Sequence, residues 1–254
     1  MSEQEKNAPL LDKRSSRRTF IKNSGLTVGG VVLGGALGSL LVKEEKTTTT
    51  ETHVHSEATG TNNLNVALMY FTPEQYRITE AAAERIFPAD DNGPGARELL
   101  VAYYIDHQLA GAWGMGSKEY TSGPFFPGEA TQGYQGRQNR QQIFEIGLKG
   151  IEEQSLKTYD KSFTNLSEEE QDAILTEFAD GNVELKGTTS AHFFGVLRTA
   201  TIEGAYADPL YGGNANMAGW KMKNFPGHQM SYLDIIEKEF TVVEPMALNS
   251  QHKH

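Results

Sequence analysis

The sequence predicts a mainly α-helical protein, a single irregular helical domain with long loops rich in glycine and aromatic residues, placed after a basic and then apolar N-terminal segment. Three observations predict it. Helix-start signals recur between residues 67 and 245, two of them reciprocal capping pairs in which two side chains three residues apart each bond the other's main chain. Behind these starts the apolar residues repeat at helical spacing. No stretch alternates apolar and polar residues as a half-buried strand does, and no period of 20–50 residues repeats.

The first helix opens on Thr72, Pro73 and Gln75. Thr72 caps, proline suits the first helical position because an N–H there would have no partner, and Gln75 completes a T-x-x-Q box. The helix is expected to run through Ala81, Ala82 and Ala83 and to stop near Phe87 and Pro88. A turn over residues 89–95, ADDNGPG, leads to a second helix over 97–110 with Leu100, Tyr103, Tyr104 and His107 at helical spacing. Residues 111–136 keep no period. Trp113, Tyr120, Phe125, Phe126 and Tyr134 within them argue for an ordered loop with a role as a partner surface. A third helix is expected over 138–157, with Ile143, Phe144, Gly147, Leu148 and Ile151 as its apolar stripe. A fourth starts at Ser167, another capping box, and stops near Gly181, since glycine readily takes the left-handed conformation that ends a helix. A fifth covers 190–206, and Phe193, Val196, Leu197, Ala200 and Gly204 on one face make it a core helix. A last short helix is expected to open at residues 231–234 and carry Ile235, Ile236 and Phe240.

Charge and cysteine content narrow the function. Residues 1–46 hold eight basic and five acidic residues, which leaves fifteen basic and twenty-eight acidic residues in the rest. A body that acidic is a poor partner for nucleic acid, whose binding depends on Lys and Arg at phosphates, and for anionic lipid. Any membrane contact therefore falls to the N-terminal segment. The chain has no cysteine, which excludes disulfides, thiolate metal sites, iron–sulfur clusters and cysteine nucleophiles.

Residues 1–24 carry six basic and three acidic side chains, and residues 25–42 are eighteen uncharged residues, six of them glycine. A basic region before an apolar one is the layout of an export signal. Ser16, Arg17, Arg18, Thr19, Phe20, Ile21 and Lys22 resemble the twin-arginine (Tat) signal, S/T-R-R-x-F-L-K, with Ile in place of Leu. No A-x-A site follows Val42, and eighteen residues just span a bilayer as a helix, so cleavage and retention as a membrane anchor both stay open. The expected organisation is a signal or anchor over 1–46, a flexible polar linker over 47–66, the helical domain over 67–245 and a tail over 246–254. His53 and His55 read as solvated linker residues rather than metal ligands.

Candidate chemistry is sparse. The glycines of GPGARE, residues 93–98, follow no strand, so they cannot aim main-chain amides at a pyrophosphate as a dinucleotide loop does. Asp90 and Asp91 fit a turn before a helix better than an acid–base pair. His192 and Glu203 share one side of a helix but lie roughly 16 Å apart along its axis, too far to share a metal. His192 and His228, with Asp208 and Asp234, remain acid–base candidates for a free-standing exported enzyme.

The densest unusual composition is EGAYADPLYGGN, residues 203–214, continued by Gly219, Trp220 and the FPG of residues 225–227. Asp208 and Pro209 start a turn, and Gly212, Gly213 and Asn214 permit positive φ. Trp220 and Tyr211 offer the large amphipathic surface common at interfaces. A rigid loop packed on its own domain and a partner contact explain the segment equally well. Together with IFPADDNGPGARELLVAYYID, residues 86–106, this run resembles the gluconate 2-dehydrogenase subunit 3 family over about residues 71–227. Asn224 and Phe225 stand where that family's pattern has Gly and Tyr.

The resemblance implies a non-catalytic small subunit of a membrane-associated periplasmic dehydrogenase complex. In such complexes an FAD-dependent large subunit oxidises a sugar, sugar acid or polyol, and electrons pass to a cytochrome c subunit or another membrane acceptor. No cofactor, metal or catalytic residue is carried over to this chain. Its expected partners are the large flavoprotein subunit and the Tat translocase. Asp208, Pro209, Tyr211, Gly212, Gly213, Asn214, Trp220, Pro226 and Gly227 are the residues expected at the partner interface. The Tat route exports folded proteins, yet this chain shows no cofactor motif, so export of the large subunit together with this one is the expected purpose of the signal. The competing readings are the free-standing enzyme and a membrane-tethered sugar-binding protein.

Overall fold

Capping chemistry sets where the helices begin. The computed structural model describes residues 67–126 and 128–248; the arginine-pair motif, the apolar segment and the linker lie outside them. Helix α1, Pro73–Ile86, starts where the Thr72 hydroxyl accepts from the Gln75 N–H and the Gln75 side chain accepts from the Thr72 N–H. Asn139 and Gln142 form the same box at α4, Arg140–Tyr159, and Ser167 and Glu170 form it at α5, Glu168–Ala179. Thr189 caps α6, Ser190–Tyr206, by accepting from the His192 N–H. The shorter helices are α2, Val101–Ala110, α3, Ala112–Met115, and α7, Ala218–Met222. No β-strand occurs among the described residues, and the fold is mainly α as the sequence predicts. After α5, Gly181 adopts φ +80° and the N–H groups of Gly181 and Asn182 return to the carbonyls of Phe178 and Glu177, the closure expected of a glycine stop.

Two short helices, α3 and α7, lie in stretches the sequence reading left as loop, and two expected helices differ from it. The second helix starts at Val101 rather than Arg97, because Leu100 takes a left-handed conformation at φ 59° and breaks it. Residues 96–100 instead make a separate turn, closed by the Leu100 N–H on the Arg97 carbonyl and the Val101 N–H on the Ala96 carbonyl. The last helix is absent. Residues 233–237 are turns, held by three-residue bonds such as Ile235 N–H to the Tyr232 carbonyl. Short helices form in water only when tertiary packing supports them, and Leu233, Ile236 and Phe240 all stand exposed.

Helix α6 is the spine of the domain, packed against α1, α2, α4, α5 and α7. Its Phe193 and Leu197 are fully buried. Phe193 meets Phe144 of α4 and Phe178 of α5 edge to face, at ring-centre distances of 5.8 and 5.9 Å. The close approach of α6 to α4 depends on Gly147, where an added Cβ would lie 2.2 Å from the Phe193 ring. Arg85 ties α1 to α5 through paired bonds to Asp172, at 2.8 and 3.0 Å, and a further bond to Glu168. The fully buried Asp106 on α2 accepts from the main-chain N–H groups of Met69, Tyr70 and Phe71, at 2.6, 3.0 and 2.6 Å, and so pins the segment entering α1.

The glycine- and aromatic-rich loop after α3 is ordered at both ends. Near its start, the Arg140 guanidinium lies over the Trp113 ring at 4.8 Å, bonds the Trp113 carbonyl and pairs with Glu119. Near its end, Tyr134 stacks on His192 at 4.0 Å and donates to Gln138. Between these anchors Tyr120 and Phe126 face solvent. Among the described residues, no helix is long and apolar enough to cross a membrane.

Candidate functional site

The candidate site is where the 203–227 segment leaves α6, and its geometry follows from the needs of two helix ends. The last carbonyls of a helix and the first amides of the next have no partners within their own helices. Here side chains of the segment supply them. The Trp220 indole N–H donates to the Tyr206 carbonyl at 2.7 Å. The amide nitrogen of Asn214 donates to the Ala207 carbonyl at 2.8 Å, and its amide oxygen accepts from the Gly219 N–H of α7, also at 2.8 Å. Asn214 is therefore a two-sided clasp between the carbonyl end of α6 and the amide end of α7. It is fully buried.

The glycines make that closure possible by letting backbones touch. A Cβ on Gly213 would lie 2.2 Å from the Gly204 carbonyl oxygen, and one on Gly219 would lie 1.9 Å from the Ala205 carbonyl oxygen. Any side chain at either position forces the loop away from α6. Gly212 turns at φ +101° against His107 of α2. The Ala215 N–H donates to the Leu99 carbonyl at 3.2 Å, which joins the segment to the turn over 96–100. The two stretches that stand out in the sequence, 86–106 and 203–227, thus meet in one packed junction.

Asp208 and the FPG run hold a second contact. The Asp208 carboxylate accepts from the Leu210 N–H within its own turn, Pro209–Tyr211, and from the Leu248 N–H forty residues on, both at 2.9 Å. The Pro226 carbonyl accepts from the Met246 N–H at 3.1 Å, and the His228 N–H donates to the Met246 carbonyl at 2.7 Å. Gly227, at φ +68°, lies against the Trp220 ring and the Met246 main chain. Residues 226–228 and 246–248 form a clamp, with Ala247 buried beneath it.

Of the residues expected at a partner interface, Gly212, Gly213, Asn214 and Trp220 are buried, and Asp208, Pro209, Pro226 and Gly227 are half-buried. Tyr211 faces outward, and Leu210 and Phe225 are exposed as well. Beneath this edge the Tyr104 phenol is pushed up to about 12, first by burial and then by the Glu203 carboxylate. The histidine candidates lie on different elements. His192, in the first turn of α6, stacks on Tyr134; burial and then the Arg140 cation hold its pKa below the ordinary value near 6.5. His228 is tied by its main chain to Met246. Among the described residues, no group of three His, Asp or Glu side chains is placed to hold a metal ion. Sequence reasoning missed Asp106, whose signal is a lone acid within an apolar helical run, and missed the clamp formed by residues 246–248.

A sequence profile described as Gluconate 2-dehydrogenase subunit 3 matches residues 73–227, more than half of the chain. The chain belongs to the gluconate 2-dehydrogenase subunit 3 family. The match begins at the first residue of α1 and ends at Gly227, so the family's extent coincides with the helical bundle and its α6–α7 junction. As the family name states, its members are subunits of a multi-subunit dehydrogenase. Comparison with curated proteins gives no match, and comparison with solved structures gives none.

Proposed function

We propose that this chain is the non-catalytic small subunit of a gluconate 2-dehydrogenase-like complex of the periplasmic membrane surface, and that it supports the folding, stability and Tat export of an FAD-containing large subunit. The observation that carries the reading is family membership over the whole bundle. The chemistry of the junction supports it. The Asn214 amide, the Asp208 carboxylate and the Trp220 indole N–H all bond main-chain groups of the same domain, which gives the segment an architectural task. His192 likewise has a packing contact, its ring stacked on Tyr134 at 4.0 Å beside the glycine-rich loop. In the proposed complex the large subunit holds the FAD and the substrate, and a cytochrome c subunit or another membrane acceptor takes the electrons.

The leader supplies the export step. Ser16, Arg17, Arg18, Phe20, Ile21 and Lys22 direct the chain to the Tat translocase, which moves folded proteins, and a flavoprotein already bound to this subunit travels with it. The test is fractionation of cells carrying the double change Arg17→Lys and Arg18→Lys. Both this chain and the large subunit are expected to remain in the cytoplasm. Normal periplasmic delivery of the large subunit by that strain defeats the proposal.

A further inference from the structure

Residues 229–245 form a loop whose two ends are held together by the clamp of 226–228 on 246–248. The loop begins just beyond the segment that matches the family. Its side chains are the reverse of what a surface loop in water favours. Met230, Tyr232, Leu233, Ile236, Phe240 and Val242 are all exposed, Leu233 at 80% and Phe240 at 95%. At roughly 150–200 Å² for each fully exposed side chain of this size, they present several hundred Å² of apolar surface, the order of area one partner contributes to a standard interface. Monomeric surfaces carry single exposed apolar residues without consequence, but a run this dense marks an interaction surface.

Charge selects the occupant. Asp234, Glu237, Glu239 and Glu244 are interleaved with the apolar residues, against the single cation Lys238. An anionic membrane surface repels such a loop, and so does an identical acidic loop on a second copy of this chain. A protein groove with an apolar floor and a basic rim accepts both its features. We infer that the 229–245 loop is the docking arm of this subunit, inserted into such a groove on the flavin-bearing large subunit; this rests on the subunit reading above. The junction residues then act indirectly. Asp208, Pro226 and Gly227 hold the clamp from which the arm projects.

The test uses the full-length tagged chain purified from its native cells, with flavin absorbance and mass spectrometry identifying what co-elutes. A photo-crosslinking phenylalanine analogue replaces Leu233 or Phe240, and in a control replaces Leu156, which is exposed on α4. Crosslinks from the arm positions to the flavin-bearing chain are expected. The triple variant L233S/I236S/F240S is expected to retain about a tenth or less of the flavin per chain, as loss of interface anchors does, with an unchanged circular dichroism spectrum. The charge reversal E237K/E239K is expected to weaken the complex most at low salt. A triple variant that keeps wild-type flavin overturns the arm alone, as do crosslinks only between copies of this chain. A wild-type chain that brings down no flavoprotein overturns the subunit reading itself, and the arm's assignment with it. Should the triple variant misfold, the crosslinks made by the wild-type fold decide.

Discussion

Asn214 must donate on one side and accept on the other, and only an amide of that length does both. Its nitrogen meets the Ala207 carbonyl and its oxygen meets the Gly219 N–H. Aspartate is nearly the same shape but has no donor, so Asn214→Asp sets two oxygens against each other in a buried site. The expected loss is about 2–3 kcal/mol, a fall in Tm of roughly 5–10 °C, because an unpaired buried polar group loses its full hydration. Thermal melts check it, and Asn214→Asp as stable as the wild type would show that the clasp is wrongly assigned. Asp106 poses the opposite demand. Its carboxylate meets three N–H groups and no cation among its hydrogen-bond partners, so here the side chain must accept throughout. Asp106→Asn turns one oxygen into a donor facing an N–H. Urea unfolding is expected to show a loss of about 2 kcal/mol or more, with Met69 and Tyr70 exchanging their amide protons faster than before.

At the scale of the helix pair, Gly147 decides how close α4 and α6 come. Alanine is favoured over glycine in a helix by about 1 kcal/mol. Against that gain, the new methyl group would lie 2.2–2.3 Å from the root of the Phe193 ring, which is fully buried between Phe144 and Phe178 and cannot swing away. Overpacking of this kind costs about 1–3 kcal/mol or more, so Gly147→Ala is expected to lower the denaturant midpoint despite the better propensity. A raised midpoint would mean that the two helices slide apart at little cost. The helices themselves were legible in the sequence because each carries its own start signal. Thr72 with Gln75, Ser167 with Glu170 and the Gly181 stop act locally, through residues three or four apart. Leu100 was not legible, since nothing about leucine announces a left-handed turn; tertiary contacts, including the Ala215 bond to the adjoining Leu99 carbonyl, accompany it. The 231–240 stretch was misread for the complementary reason. Its apolar residues have a helix-like spacing, but the bundle offers them no face, and spacing alone does not report what lies opposite. At the α6–α7 junction the residue types were legible and their direction was not. Glycine, asparagine and tryptophan side by side fit a packed turn or a contact surface equally well until the positions of the Tyr206 and Ala207 carbonyls are known.

For the molecule as a whole, one histidine and one loop give separable expectations. His192 is held below its ordinary pKa by burial and by Arg140, so folding favours the neutral ring. The unfolded chain binds the proton first as pH falls, and this contribution, complete above about 6.5, is lost as pH drops from there through the folded-state value. Thermal melts between about pH 7 and pH 5 are expected to show a shallower acid decline for His192→Gln than for the wild type, and an unchanged slope would remove His192 from the acid response. The 229–245 loop asks whether a segment serves the fold at all. Its ends are already joined by the 226–228 and 246–248 contacts, and its large apolar side chains stand in water. Replacing residues 229–245 with a linker of about six Gly and Ser residues, long enough at roughly 3.3 Å per residue to cross between the clamped ends, removes little buried surface. Shortening the closure lowers its entropic cost by about 1 kcal/mol, which offsets the few contacts of half-buried Ile235 and Val243. The shortened chain is therefore expected to melt within about 4 °C of the full one, with the same helical signal, while its association with the flavin-bearing chain is lost. A large fall in Tm would place the loop in the fold's own core. Unchanged stability with binding intact would leave the arm without a task, so stability and association must be read from the same preparation.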